Sequence, residues 1–253
     1  MNFKLKNKNV IITGGSGFLG KQLIKSFLNQ NSNVYNLDII KPRKKDNSIF
    51  IKTDITDEKN LQQVLNKFIR KKIKIDVLIN NASSNYVPKS NKKDIFRLES
   101  FSNKFWEQDL AVGLKGSYLC TKVFGTYMTK AKKGIILNIS SDLGIIAPNQ
   151  KIYKGLKFTK PVTYSVVKHG IIGLTKYTAS YWGKKNIRCN AIAPGGIYNN
   201  QNKSFIKQIN ELIPLGRMAK ENEYNALVLF LSSDLSSYIN GTTIVADGGR
   251  SIL

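Results

Sequence analysis

Tyr164 and Lys168 stand four residues apart, so on a helix their side chains share one face about a turn apart. A phenol has a reference pKa of about 10 and is a poor base at neutral pH. A fixed ammonium beside it favours the phenolate and lowers that value. A tyrosine so tuned takes a proton from an alcohol or returns one to a carbonyl, a step worth about 10²–10⁴ in rate. The chain has one histidine, His169, which is expected to pack on the other side of that helix, and two cysteines, Cys120 and Cys189, in unrelated segments. This inventory argues against a Ser–His–Asp triad, a zinc site or a redox pair, and no metal is expected.

A second constellation lies near the amino terminus. Thr13-Gly14-Gly15-Ser16-Gly17-Phe18-Leu19-Gly20 follows a short apolar run and precedes an amphipathic segment. Glycines there let the backbone turn sharply and approach a pyrophosphate, which the positive end of the following helix stabilises. Asp38 closes the next apolar run, 18 residues after Gly20, where a carboxylate accepts hydrogen bonds from the adenosine ribose. An acid at that position repels a 2′-phosphate, so NAD is favoured. Lys41, Arg43, Lys44 and Lys45 follow closely enough to keep NADP open.

These groups need a scaffold, and the pattern supplies one. Candidate strands are Asn9–Thr13, Asn33–Leu37, Ile49–Thr53, Asp76–Ile79, Gly134–Ile139, Ile187–Ile192 and Thr243–Val245. Helical segments are expected near Phe18–Gln30, Glu58–Arg70, Ser102–Ala131, Pro161–Gly183 and Glu221–Ser232. Strands apolar almost throughout and alternating with helices indicate a parallel sheet covered on both faces, a doubly wound α/β fold. No composition break divides the 253 residues, so one domain spanning 1–253 is expected.

Bulk properties narrow the class. Hydrophobic residues make up 42% and charged residues 22%, which excludes a disordered or collagen-like chain. The longest apolar stretch, Ala226–Leu231, is far short of the about 20 residues needed to span a bilayer. No signal-peptide pattern follows Met1–Lys8, so a soluble cytoplasmic protein is expected, without a membrane partner. The net charge of +24 favours anionic partners. The lysines are spread along the whole chain, however, so the charge reads as compositional bias and a nucleic-acid role is not expected.

Taken together, the Thr13–Gly20 loop, Asp54-Ile55, Asn80-Asn81-Ala82, Ser140-Ser141, Tyr164-Ser165-Val166-Val167-Lys168, Pro194-Gly195 and Asp247-Gly248-Gly249 resemble the short-chain dehydrogenase/reductase family. The resemblance runs from Lys8 to Gly249 and fits the compact branch of about 250 residues. It is similar to members associated with bacterial surface-sugar or flagellin-glycan biosynthesis. It implies a single Rossmann-type domain with a seven-stranded parallel sheet in the order 3-2-1-4-5-6-7. It also implies a homotetramer or homodimer packed through the two long helices.

The activity implied is NAD(P)-dependent interconversion of a secondary alcohol and a ketone, on a sugar or another polar small molecule, an anionic one included. The alternatives are a 3-oxoacyl-[acyl-carrier-protein] reductase and a non-catalytic nucleotide-binding scaffold. By the same resemblance Tyr164 is the acid/base, Lys168 also holds the nicotinamide ribose, and Ser141 binds the substrate oxygen. Ser141 is preferred to Ser140 because the family's Ser–x–x–Gly spacing falls on Ser141 and Gly144. Cofactor contacts are implied for Gly14, Ser16, Gly17, Phe18, Leu19, Gly20, Asp38, Asp54, Ile55, Asn80, Ala82, Tyr164, Lys168, Pro194, Gly195 and Ile197. A substrate lid is expected near 194–214.

Three departures from the family pattern stand out. The glycines at 14, 17 and 20 have the spacing of the family's extended branch, although the chain length and the other motifs belong to the compact one. Gly113 occupies the place of an asparagine that usually fixes a proton-relaying water behind the lysine, and a glycine inside a helix costs about 1 kcal/mol relative to alanine. Ser141 and Tyr164 are 23 residues apart, farther than is usual for the family. The added loop near Pro148–Pro161 carries Lys151, Lys154, Lys157, Lys160, Tyr153 and Phe158, a composition suited to an anionic substrate.

Overall fold

The computed structural model describes residues 2–44, 46–84, 96–153, 156 and 159–253. Side chains on a strand alternate between its two faces, and β1 (Asn9–Thr13) uses both. Ile11 joins one core, Val10 and Ile12 join the other, and all three are fully buried. The remaining strands are β2 (Asn33–Asp38), β3 (Ile49–Lys52), β4 (Val77–Asn80), β5 (Gly134–Ile139), β6 (Ile187–Pro194) and β7 (Thr243–Ala246). They form one parallel sheet in the expected order, β3-β2-β1-β4-β5-β6-β7.

One face of the sheet is covered through Leu61, Val64 and Phe68 of α2 (Glu58–Arg70) and by Leu119, Phe124 and Met128 of a long helical run. The other face packs Leu23 and Phe27 of α1 (Phe18–Leu28) with Val228 and Leu231 of α8 (Asn225–Leu231). Burial on both faces is why the strands are apolar without a period-two polar alternation. Parallel strands place all their carboxyl ends on one edge, and residues following β1, β2, β4, β5 and β6 gather there.

The segment expected as one helix over Ser102–Ala131 is helical but not uniform. It consists of α3 (Asn103–Leu110), α4 (Gly116–Cys120) and α5 (Thr126–Lys130), joined by π-helical turns at Ala111–Lys115 and Thr121–Gly125. Gly113 lies in the first wide turn. A Cβ there would stand 2.6 Å from Val167 Cγ1, so the glycine permits close approach to α6 (Val162–Trp182). An eight-residue helix, α7 (Lys203–Asn210), lies inside the expected lid segment and was not anticipated. It is capped by Asn202, whose side chain accepts from Ser204 N at 2.8 Å.

Candidate active site

A cavity of about 720 Å³ opens along the carboxyl edge of the sheet. Its first wall is the Gly14–Gly20 turn. Gly14 has φ +65°, and a Cβ there would stand 2.7 Å from Ala82 Cα. Only glycine meets both demands without strain. Gly17 precedes α1, which has neither a side-chain cap nor an acidic residue in its first turn. Its N-terminal N–H groups are therefore left for an anionic ligand. In α2, by contrast, the Asp57 side chain caps the helix through Lys59 N and Asn60 N.

Asp38 lines the same cavity. Its carboxylate accepts from Ser16 N at 3.0 Å and from Ile40 N at 2.9 Å, which fixes its position beside the glycine turn. Lys41, Arg43 and Lys44 are exposed and do not line the cavity, while Lys45 lies outside the described residues. Asp54 and Ile55 also line it. Asp54 Oδ1 accepts from Thr56 N and Thr56 Oγ1, and Ile55 is buried. Pro194, Gly195 and Ile197 complete the wall beyond β6.

Asn80 is the one expected contact that the structure withdraws from the cavity. Its side chain is buried beneath the cavity and donates to Asn138 Oδ1 at 2.8 Å and Thr121 Oγ1 at 3.0 Å. Asn138 in turn donates to Thr175 Oγ1 of α6 at 2.8 Å. This network ties β4, β5 and α6 together from below. The neighbouring Asn81 lines the cavity instead, with its amide donating to Thr13 O and Gly14 O.

At the centre, Tyr164, Lys168 and Ser141 meet. Lys168 Nζ lies 5.6 Å from the Tyr164 ring centroid and donates to Ile139 O at 3.0 Å. Ser140 is turned away: its hydroxyl donates to the Lys168 carbonyl at 2.8 Å. Ser141 lies close enough to the Tyr164 hydroxyl to favour its ionised form. Burial outweighs this and pushes the Tyr164 pKa up, with Asp142 adding to the rise and Arg250 opposing it. The lowering expected from Lys168 together with a positive nicotinamide ring is opposed by this burial. Burial, and secondarily the charge of Lys160, pulls Lys168 down to about 8.

Sequence reasoning missed two neighbours. Asp142 Oδ1 accepts from the Ser141 hydroxyl at 2.7 Å, and Asp142 Oδ2 accepts from Arg250 Nη1 at 2.7 Å. Both members of this ion pair are buried. Their adjacency to Ser141 and to Asp247-Gly248-Gly249 was visible, but nothing in the sequence joins positions 108 residues apart. Tyr153, Phe205, Ile209 and Met218 close the far end. Of the loop lysines, Lys160 lines the cavity, Lys151 is exposed, and Lys154 and Lys157 lie outside the described residues. His169 is exposed rather than packed, with Nδ1 2.9 Å from Ser165 O. Among the described residues no cluster of three or more metal-ligating side chains occurs, and no helix is long and apolar enough to cross a membrane.

A doubly wound sheet with a glycine turn, an acid at the end of the second strand and a Tyr–Lys pair in one cavity is the arrangement of a nucleotide-dependent oxidoreductase. The family model described as enoyl-(acyl carrier protein) reductase matches residues 26–251. A 3-oxoacyl-[acyl-carrier-protein] reductase of Thermotoga maritima is 33% identical, over 97% of this chain and 98% of its own length. The post-translational flagellin modification protein A of Campylobacter coli is 29% identical, over 97% and 98%. A short-chain dehydrogenase of Leptospira borgpetersenii, solved with bound NAD+, superposes with a TM-score of 0.86 at 32% identity, covering 98% of this chain and 94% of that one. The chain belongs to the short-chain dehydrogenase/reductase family. It is an enzyme of a family that acts on CH–OH groups with NAD(H) or NADP(H), on small-molecule substrates and generally as oligomers.

Proposed function

We propose that the protein interconverts a secondary alcohol and a ketone on a sugar or similarly polar small molecule, with NAD as the favoured coenzyme. The observation that carries this reading is the meeting of Tyr164, Lys168 and Ser141 in the cavity that also holds the Gly14–Gly20 turn and Asp38. The coenzyme supplies the hydride acceptor or donor. Tyr164 Oη takes the alcohol proton during oxidation and returns it during reduction. Lys168, held by Ile139 O, fixes the ribose and supplies positive charge beneath the phenol. Ser141 positions the substrate oxygen, and Asp142 holds the Ser141 hydroxyl in place.

The fit of the coenzyme rests on three features: the positive-φ turn at Gly14, the uncapped start of α1, and Asp38 fixed beside Ser16. Gly14, Ser16, Gly17, Phe18, Leu19 and Gly20 would hold the pyrophosphate end, and Asp38, Asp54 and Ile55 the adenosine. Ala82, Tyr164, Lys168, Pro194, Gly195 and Ile197 would line the nicotinamide end. The exposure of Lys41, Arg43 and Lys44 away from the cavity supports NAD over NADP. Asn199, Gln201, Phe205 and Ile209 all line the cavity, which supports residues 194–214 as a substrate lid on a single domain over 1–253.

Self-association through the long helices is supported by exposed Tyr118 on α4 and by Val166, Tyr177 and Tyr181 on α6. A cytoplasmic location agrees with these roles. The Thermotoga relative and the strongly basic chain favour one second reading, reduction of a 3-oxoacyl group on an acidic carrier. Initial rates with NADH against keto-sugars and oxoacyl thioesters separate the two. Turnover of the keto-sugars supports the first, turnover confined to the thioesters supports the second, and inertness toward both contradicts both.

A further inference from the structure

The part of the cavity around Tyr164 carries an unbalanced positive charge. Lys160 stands four residues before Tyr164, just ahead of α6, and its Nζ lies 3.6 Å from the Tyr164 ring centroid. Its backbone is clamped on both sides: Lys160 N donates to Gln150 Oε1 at 3.0 Å, and Gln150 Nε2 donates to Lys160 O at 3.1 Å. Pro161 follows at the N-cap position of α6, and Lys160 lines the cavity. Among the described residues its ammonium has no hydrogen-bond or ion-pair partner apart from the aromatic face.

Asp142 is the acid in this part of the cavity, and its oxygens are engaged by Arg250, the Ser141 hydroxyl and Leu143 N. Lys168 is committed to Ile139 O. Burial pulls Lys160 down to about 8, with Asp142 opposing and Arg250 assisting, so at neutral pH the group remains protonated. A half-buried charge with no counter-ion is costly. An oxyanion arriving beside it relieves that cost and gains a charge-assisted hydrogen bond.

We infer that Lys160 is the recognition site for an oxyanion, a carboxylate or a phosphate, carried by the substrate close to its reacting carbon. The inference deepens the reading above and rests on it for the position of the reacting carbon. The same cavity is lined by Tyr153, Phe205 and Met218, which offer apolar surface, and by Asn199 and Gln201, which are polar and uncharged.

Calorimetric titration tests the assignment with three small probes, acetate, its neutral isostere acetamide, and inorganic phosphate, each with and without saturating NADH. Acetate or phosphate is expected to bind at least ten-fold more tightly than acetamide. That preference should vanish in Lys160→Met and Lys160→Gln, persist in Lys160→Arg, and be untouched in Lys184→Met on the distant surface. Preference for acetate over phosphate identifies a carboxylate substrate, and the reverse a phosphorylated one. Equal binding of charged and neutral probes, or a preference that survives in Lys160→Met, overturns the assignment. If NADH binds normally in that case, the oxidoreductase reading stands. Anion preference without NADH uptake would sink the oxidoreductase reading and spare the anion site.

Discussion

Two lysines that burial pulls down to about 8 lie 3.6 Å and 5.6 Å from the centroid of the Tyr164 ring. In the unfolded chain a lysine keeps its ordinary value of about 10.4. Between about pH 8 and 10 the unfolded state therefore binds more protons than the folded one, and stability rises with pH across that window. Chemical denaturation at pH 7.5 and pH 9.5 (conditions chosen within about two units of the lysine values) should show the increase. Lys160→Met removes an unpaired charge while keeping an aliphatic stem, and is expected to raise Tm by about 2–4 °C, the shift of roughly 1 kcal/mol in a chain this long. A lowered Tm would mean that the ammonium is already satisfied. Asp38 gives a prediction of a different kind. Asp38→Ala removes the acceptor held by Ser16 N and Ile40 N, so the ratio of kcat/KM for NAD over NADP should fall by about ten-fold or more, the effect of about 1.4 kcal/mol. An unchanged ratio would place coenzyme selection elsewhere.

Among the elements, contact between the long helical run and α6 is the one on which the site's geometry turns. Gly113→Ala would put a methyl group 2.6 Å from Val167 Cγ1, one residue from Lys168. Overpacking of this kind costs about 1–3 kcal/mol, and Val167→Ala in the same chain should recover most of it. A double-mutant cycle on thermal stability reads the coupling, and simple additivity would contradict the contact. This contact also shows where sequence reading stopped. The seven strands and the helix bearing Tyr164 and Lys168 were legible, because strands covered on both faces are apolar throughout and βα periodicity is strong, while the strand order came from the family resemblance. The π-helical turns were not, because they depend on Ala111–Gly125 packing against α6 and the sheet rather than on local preference. The Asn80 side chain lies outside the cavity lining for a related reason. Strand alternation decides whether a polar side chain at a strand end faces the cavity or the layer beneath, and the motif does not reveal that phase. Helix α7 was missed because a short amphipathic segment after Asn199-Asn200 reads as loop when its apolar partners, Ile152 and Tyr153, lie some fifty positions away.

Across the whole molecule, the carboxyl-terminal turn is tied to the centre of the site. Arg250 reaches Asp142 over 108 residues of sequence, and Asp142 holds Ser141. Removing one member of a buried pair leaves the other uncompensated, at a cost of about 3–5 kcal/mol. Arg250→Met should therefore lower Tm markedly and free Asp142 to disturb Ser141. Replacing both residues, as Arg250→Met with Asp142→Leu, should recover much of the stability but not the turnover. Recovery of both would show that the pair serves folding alone. The most direct test of the account is the Tyr164→Phe variant, compared with the unaltered protein for NADH binding by fluorescence and for turnover on the same keto-sugar panel. The account predicts that coenzyme affinity is retained while turnover falls at least about 10²-fold, the contribution of one positioned acid/base. Turnover undiminished by loss of the phenolic oxygen would contradict it.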